Sequence, residues 1–184
     1  MLRELREAWW DDRVEEIGTS KSRIASDGEM LAGNPTGKIP ALIRKDGPAV
    51  YDSRVITRYL DDMADAGLYP VTSLYEILTL EATADAIMEI AVGMAYDTRF
   101  RPDQQSPDWT EAQWGKAARA IAAINCRWMS HLSGPLNMAQ IAVSCALSYV
   151  DLRHDARNWR HENDALAKWQ AEFEARDAMQ ATKP

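Results

Sequence analysis

The chain has 184 residues, of which 46% are hydrophobic and 27% charged, and its formal net charge is −7. These values are ordinary for a globular protein, and a chain of this length buries a sizeable core in one or two domains. The negative charge argues against a nucleic-acid or anionic-membrane partner. No apolar run approaches the roughly 20 residues of a membrane span, and Met1 is followed by no signal-peptide pattern, so the cytoplasm is the default expectation.

The first 68 residues predict a mixed α/β unit. Helical spacing predicts helices over Leu2 to Trp10 and over a segment from Val55 to Met63. A short irregular helix is expected near Asp27 to Ala32, at the end of a polar stretch. We expect Asp52 or Ser53 to cap the third helix, which carries a polar face and has Gly67 just past its end. Weak alternation predicts a strand over Arg13 to Ile17. Two apolar runs around a Gly-containing turn predict a hairpin, and they are Ala41 to Ile43 and Ala49 to Tyr51.

Residues 73–184 predict an all-helical bundle. Capping-box patterns begin at Ser73 and Asn137, and the second leads into a segment, Ile141 to Val150, that is apolar nearly all round and must be surrounded by other helices. One apolar face runs from Trp114 to Leu132, where Ser133-Gly134-Pro135 ends the helix. A turn is expected at Asn158 to His161, then a last helix marked by Leu166, Trp169 and Phe173, and a tail from Asp177.

Two features of the first unit are typical of a ligand site. Ile39-Pro40 precedes a strand, and a cis bond there would turn the Ile39 N–H and C=O toward an extended peptide. The Ser53 hydroxyl and the free N–H groups at the start of its helix suit a carboxylate. A plain turn proline and a plain helix cap explain the same residues, so the residues alone leave both readings open.

The two stretches NPTGKIPAL and YDSRVITRYL together resemble the glutathione-binding half of bacterial glutathione S-transferases (GSTs), and the resemblance extends from about Asp12 to the C-terminus. It implies a thioredoxin-like N-terminal domain and an all-α C-terminal bundle. It also implies that Pro40 is cis, that the Ile39 backbone pairs with the cysteinyl part of glutathione, and that Asp52 and Ser53 hold the γ-glutamyl end, with Lys38 in support.

The segment after Met1 resembles the end of the family's first helix, so the resemblance implies a truncated thioredoxin-like domain without its first strand. The residue that activates the glutathione sulfur would then lie outside this sequence, and the catalytic residue is unassigned. Loss of the first strand would leave the neighbouring strands of the sheet without a partner, and three outcomes are expected. Val14 to Ile17 pairs with Ala41 to Ile43, it exchanges onto another chain, or Met1 to Ala32 is rearranged. A native gene that starts upstream of Met1 is the simplest explanation.

The resemblance places a hydrophobic substrate pocket late on the first bundle helix, at Met94, Tyr96 and Arg99, although packing and solvation explain these residues better. Ser20, Ser22 and Ser26 could replace the missing hydroxyl, but a polar loop explains them better. The three histidines lack metal-ligand spacing, so no metal is expected. Cys126 and Cys145 fit core positions.

The expected activity is conjugation of glutathione, as cosubstrate, to a small electrophilic, largely apolar compound by a homodimer. The alternative is a non-catalytic GST-like protein that binds glutathione or only dimerises. The intact Ile39-Pro40 and Asp52-Ser53 elements favour the enzyme, and the missing strand favours the alternative.

Overall fold

A computed structural model describes residues 6–7, 13–18 and 28–183, with the backbone alone at 29 and 30. The chain divides into two compact units, residues 1–69 and 70–184. The predicted helix over Leu2 to Trp10 lies largely outside the described residues, of which Arg6 and Glu7 are helical. The candidate hydroxyls of Ser20, Ser22 and Ser26 also lie outside them.

The first unit is built on a hairpin and the helix that follows it. Helix α1 (Gly28–Gly33) comes first, and α2 (Ser53–Ala64) follows the hairpin. Leu42 and Val50 form an antiparallel bridge. Ile56 and Leu60 of α2 are buried, and four partly buried side chains pack against them, Val14, Leu42, Val50 and Tyr59. One apolar face of α2 therefore supplies most of this small core.

The strand predicted over Arg13 to Ile17 is wrong. Residues 15–18 have no regular structure, and the described residues contain no ladder between this segment and Ala41 to Ile43. Val14 packs against the core, but Ile17 is 76% exposed. A strand exists only through backbone pairing, so two apolar residues, Val14 and Ile17, do not suffice without a partner edge.

The second unit is a helical bundle. It contains α3 (Leu74–Phe100), α4 (Pro107–Arg127), α5 (Met129–Leu132), α6 (Met138–His154), α7 (Asp164–Glu174) and α8 (Asp177–Gln180). Helix α3 packs mainly on α6 and also on α4. The core of the unit surrounds α6, whose side chains Ile141, Val143, Ala146, Leu147 and Val150 are fully buried. The prediction that other helices surround this segment is confirmed.

Several helix ends differ from the sequence prediction. Ser73 makes no side-chain capping bond at the start of α3. The helix predicted to continue to Leu132 is interrupted at Trp128, and α5 is a separate helix. The prediction missed this interruption because the apolar periodicity continues across it. The tail contains the additional helix α8.

Only one of the two hydrogen bonds of the second predicted capping box forms. The Asn137 side chain accepts the Gln140 backbone N–H at 3.3 Å, as a helix cap does. The Gln140 side chain does not return to the Asn137 backbone N–H; its Nε2 donates to the carbonyls of Gly134 at 3.1 Å and Pro135 at 3.0 Å. A carboxylate has no proton to donate there, so the amide at Gln140 ties the preceding loop to α6.

Candidate functional site

The hairpin bridge decides where the candidate residues lie. Leu42 and Val50 exchange both backbone hydrogen bonds, each 2.9 Å long. Ile39 comes three residues before Leu42, and Ser53 comes three residues after Val50. In an antiparallel pair these two positions fall at the same end, the end opposite the turn. The fold therefore brings the Ile39-Pro40 and Asp52-Ser53 elements to one edge of the first unit.

A buried asparagine shapes the loop that leads into this edge. The Asn34 side chain is 2% exposed, donates from Nδ2 to the Lys38 carbonyl at 2.8 Å, and accepts the Thr36 backbone N–H at 3.0 Å. Gly37 closes the turn with φ 64°, a left-handed conformation that glycine adopts without strain. The Asn-Pro pair predicts the turn, but it gives no sign of the contacts that the Asn34 side chain makes.

Ile39 presents both its backbone and its side chain. The Ile39-Pro40 peptide bond is cis, as the resemblance implies, and the Tyr51-Asp52 bond is cis as well. Ile39 is 66% exposed. Within the described residues, its N–H and C=O have no hydrogen-bond partner. An extended peptide would find one donor and one acceptor here.

The start of α2 lies beside these groups along the hairpin. Asp52 caps the helix: its Oδ1 accepts the Arg54 backbone N–H at 3.2 Å, and its Oδ2 lies 3.4 Å from the Arg54 guanidinium. Of the two residues predicted as the helix cap, Asp52 and not Ser53 is therefore the one that caps α2. The half-buried Ser53 has no hydrogen-bond partner for its hydroxyl among the described residues. A hydroxyl at the positive end of a 12-residue helix is suited to an anion.

The comparisons with known proteins decide the family. Residues 5–63 match the model of the glutathione S-transferase N-terminal domain, and residues 107–171 match that of the C-terminal domain. A glutathione transferase family member from Pseudomonas fluorescens Pf-5, solved with bound glutathione, is 36% identical, with a TM-score of 0.96 over 100% of this chain and 91% of the other. The chain belongs to the glutathione transferase family.

Two further relatives extend the comparison. A second structure of such a family member from the same strain, with bound S-(propanoic acid)-glutathione, is 35% identical, with a TM-score of 0.91 over 100% of this chain and 91% of the other. The GST-like protein YibF of Escherichia coli K12 is 28% identical over 86% of this chain and 81% of its own length. The predicted fold, a thioredoxin-like N-terminal domain followed by a helical C-terminal domain, is confirmed. That the first strand is missing stays a prediction.

The structure shows where the remaining predicted site residues lie, but it does not test their roles. Lys38 is exposed, and no carboxylate pairs with it among the described residues. Met94 belongs to the buried core of the second unit. The Tyr96 ring lies 5.2 Å from that of Phe100, and the Arg99 guanidinium lies 5.4 Å from the same ring. The substrate pocket at these three positions of α3 stays a prediction.

Membrane-spanning helices and metal-binding clusters are both absent from the described residues. No helix among them combines the length and apolar character needed to cross a membrane. Their His, Cys, Asp and Glu side chains form no group of three or more placed to hold a metal ion.

Proposed function

We propose that this glutathione transferase family member binds glutathione at the edge formed by Ile39 and Ser53. The Ile39 N–H and C=O pair with the cysteinyl backbone. The Ser53 hydroxyl and the first N–H groups of α2 receive the γ-glutamyl carboxylate. Asp52 supports this end by capping α2 and attracting the ligand's ammonium group, and Lys38 supports the acidic peptide by its charge.

The observation that carries the proposal is the register of the Leu42–Val50 bridge, which brings the two elements to one end of the hairpin. An unpaired donor and acceptor on Ile39 suit a peptide, and a free hydroxyl at a helix start suits a carboxylate. Glutathione offers both groups. The relatives from Pseudomonas fluorescens, whose structures hold glutathione and a glutathione thioether, support the same ligand.

For the reaction, we propose addition of glutathione to a small electrophilic, largely apolar compound. The thiol loses its proton to solvent or to a base, and the sulfur forms a bond to the electrophilic carbon. A leaving group then departs with its electron pair, or, in an activated alkene, the π bond breaks and the resulting carbanion takes a proton from solvent. A free thiol with a pKa of about 8.5 is mostly protonated at neutral pH, so the enzyme must stabilise the thiolate. Met94, Tyr96 and Arg99 are proposed to contact the electrophile, in a cytoplasmic homodimer.

The alternative is a non-catalytic protein that binds glutathione or only dimerises. Among the described residues, we assign no side chain as the group that activates the thiol, and this favours the alternative.

Calorimetry tests the binding half of the proposal. The parent protein should give a saturable heat with millimolar glutathione, and Ser53→Ala should weaken binding roughly tenfold or more, because a hydrogen bond to a charged group is lost. Ser73→Ala is a matched control, since Ser73 also lies at the start of a helix and makes no side-chain capping bond. No heat from the parent, or equal affinities for Ser53→Ala and Ser73→Ala, would refute the site.

A rate measurement separates the enzyme from the alternative. The parent protein, glutathione and an activated aryl chloride should give thioether and chloride faster than glutathione and the aryl chloride alone. Ser53→Ala should lower this rate at subsaturating glutathione, while Ser73→Ala should not. Saturable glutathione binding without any acceleration would establish the non-catalytic alternative.

A further inference from the structure

The side chain of Ile39 is a large apolar group left open at the proposed site. Two other apolar side chains of the hairpin, Leu42 and Val50, pack against the core of the first unit. Ile39, by contrast, is 66% exposed although isoleucine is among the residues most often buried. Single exposed apolar residues are common on surfaces, so its position relative to a bound ligand decides whether it matters.

Backbone pairing fixes that position. When two extended backbones pair, residues directly opposite each other have their side chains on the same face, with Cβ atoms roughly 4.5–5.5 Å apart. If the Ile39 N–H and C=O pair with the cysteinyl residue of glutathione, the residue opposite Ile39 is that cysteinyl residue. Its Cβ, its sulfur and any group attached to the sulfur then lie on the face that carries the Ile39 side chain.

We infer that Ile39 is a specificity-determining residue that contacts the group attached to the glutathione sulfur and selects an apolar one. The inference rests on the proposed function, since it requires glutathione to pair with Ile39. An alkyl or aryl substituent removes apolar surface of Ile39 from water, and this is favourable in proportion to the area covered. A charged substituent in the same place loses hydration against the apolar Ile39 side chain.

Calorimetry with a ligand series tests the inference. The probes are glutathione, S-methylglutathione and S-hexylglutathione, which share one peptide and differ in the apolar group on sulfur. For the parent protein, affinity should rise along this series. The quantity to compare between variants is the ratio of the affinity for S-hexylglutathione to that for glutathione, because changes in peptide binding cancel in it.

Ile39→Ala and Ile39→Thr remove apolar surface at the inferred contact, and the second keeps a β-branched side chain. Both should lower the ratio by about fivefold, because less apolar surface of the sulfur substituent is covered. Ile43→Ala is the matched control, because Ile43 is an isoleucine of the same hairpin, also 66% exposed. It should leave the ratio unchanged.

The possible results distinguish a failure of this inference from a failure of the proposed glutathione binding. An unchanged ratio in both Ile39 variants, with normal glutathione binding, would overturn the inference and leave the proposed function intact. An equal fall in the ratio for Ile43→Ala would also overturn it. A parent protein that binds none of the three ligands would refute both.

Discussion

A single carboxylate shows what local sequence leaves out for α2. Asp61 belongs, with Arg58 and Asp62, to the pattern that predicts a polar face on this helix. In the structure Asp61 is 8% exposed, and its two oxygens accept the backbone N–H groups of Leu68 at 2.7 Å and Tyr69 at 3.3 Å. The carboxylate therefore satisfies the backbone that follows the helix, which a count of charges along one face could not reveal.

At this scale, Asp61→Asn should lower the free energy of unfolding by about 1–3 kcal/mol. The substitution keeps the size of the side chain but places an amide NH2 against a backbone donor, and leaving a buried N–H unsatisfied has a cost of this order. Asp62→Asn is the control, since Asp62 is the exposed neighbour on the same helix. Urea unfolding followed by circular dichroism measures the difference. Equal midpoints for the two variants would show that the Asp61 contacts contribute nothing.

Helix α7 begins with a cap supplied by another helix. Its own N-cap residue, Asn163, makes no side-chain capping bond. The Leu166 N–H, in the first turn of α7, instead donates to the Asn125 Oδ1 of α4 at 3.0 Å. Because the first N–H groups of a helix lack internal partners, this bond both completes α7 and ties it to α4.

Asn125→Ala should therefore destabilise the protein by about 1 kcal/mol, the usual cost of losing a helix cap. Asn125→Asp should retain the stability of the parent, because it keeps an acceptor oxygen and adds a negative charge near the positive end of α7. Urea midpoints of the parent and both variants measure the effect. A destabilisation as large in Asn125→Asp as in Asn125→Ala would mean that packing of Asn125, and not its oxygen, is what matters.

The elements show what a sequence pattern can and cannot predict. The apolar pattern predicted the buried helix over Ile141 to Val150 because this segment is apolar nearly all round and can be covered only by other helices. It failed for Arg13 to Ile17, where a strand needs a partner that local sequence does not contain. At the site, paired motifs pointed to Ile39 and Ser53. The Asn34 contacts, like those of Asp61, depend on backbone groups brought close only by folding.

For the molecule as a whole, buried apolar surface is distributed unevenly. The fully or nearly buried apolar side chains described in the first unit are Ile56, Leu60 and Leu68, whereas those of the second unit are many and surround α6. The described part of the first unit is held by one helix face and a single hairpin bridge. Since local opening depends on buried contacts and protected hydrogen bonds, the two units should differ in local stability.

Hydrogen exchange provides the test of this difference. Amides from Ile141 to Val150 should exchange the most slowly, on the order of a hundredfold more slowly than those of Leu42 and Val50 after correction for intrinsic rates, because every turn of this part of α6 is covered. Exchange followed by mass spectrometry resolves both segments in the parent protein. Saturating glutathione should slow the hairpin and leave α6 unchanged if the ligand binds at Ile39. Equal protection of the two segments without ligand would contradict the uneven distribution of stability.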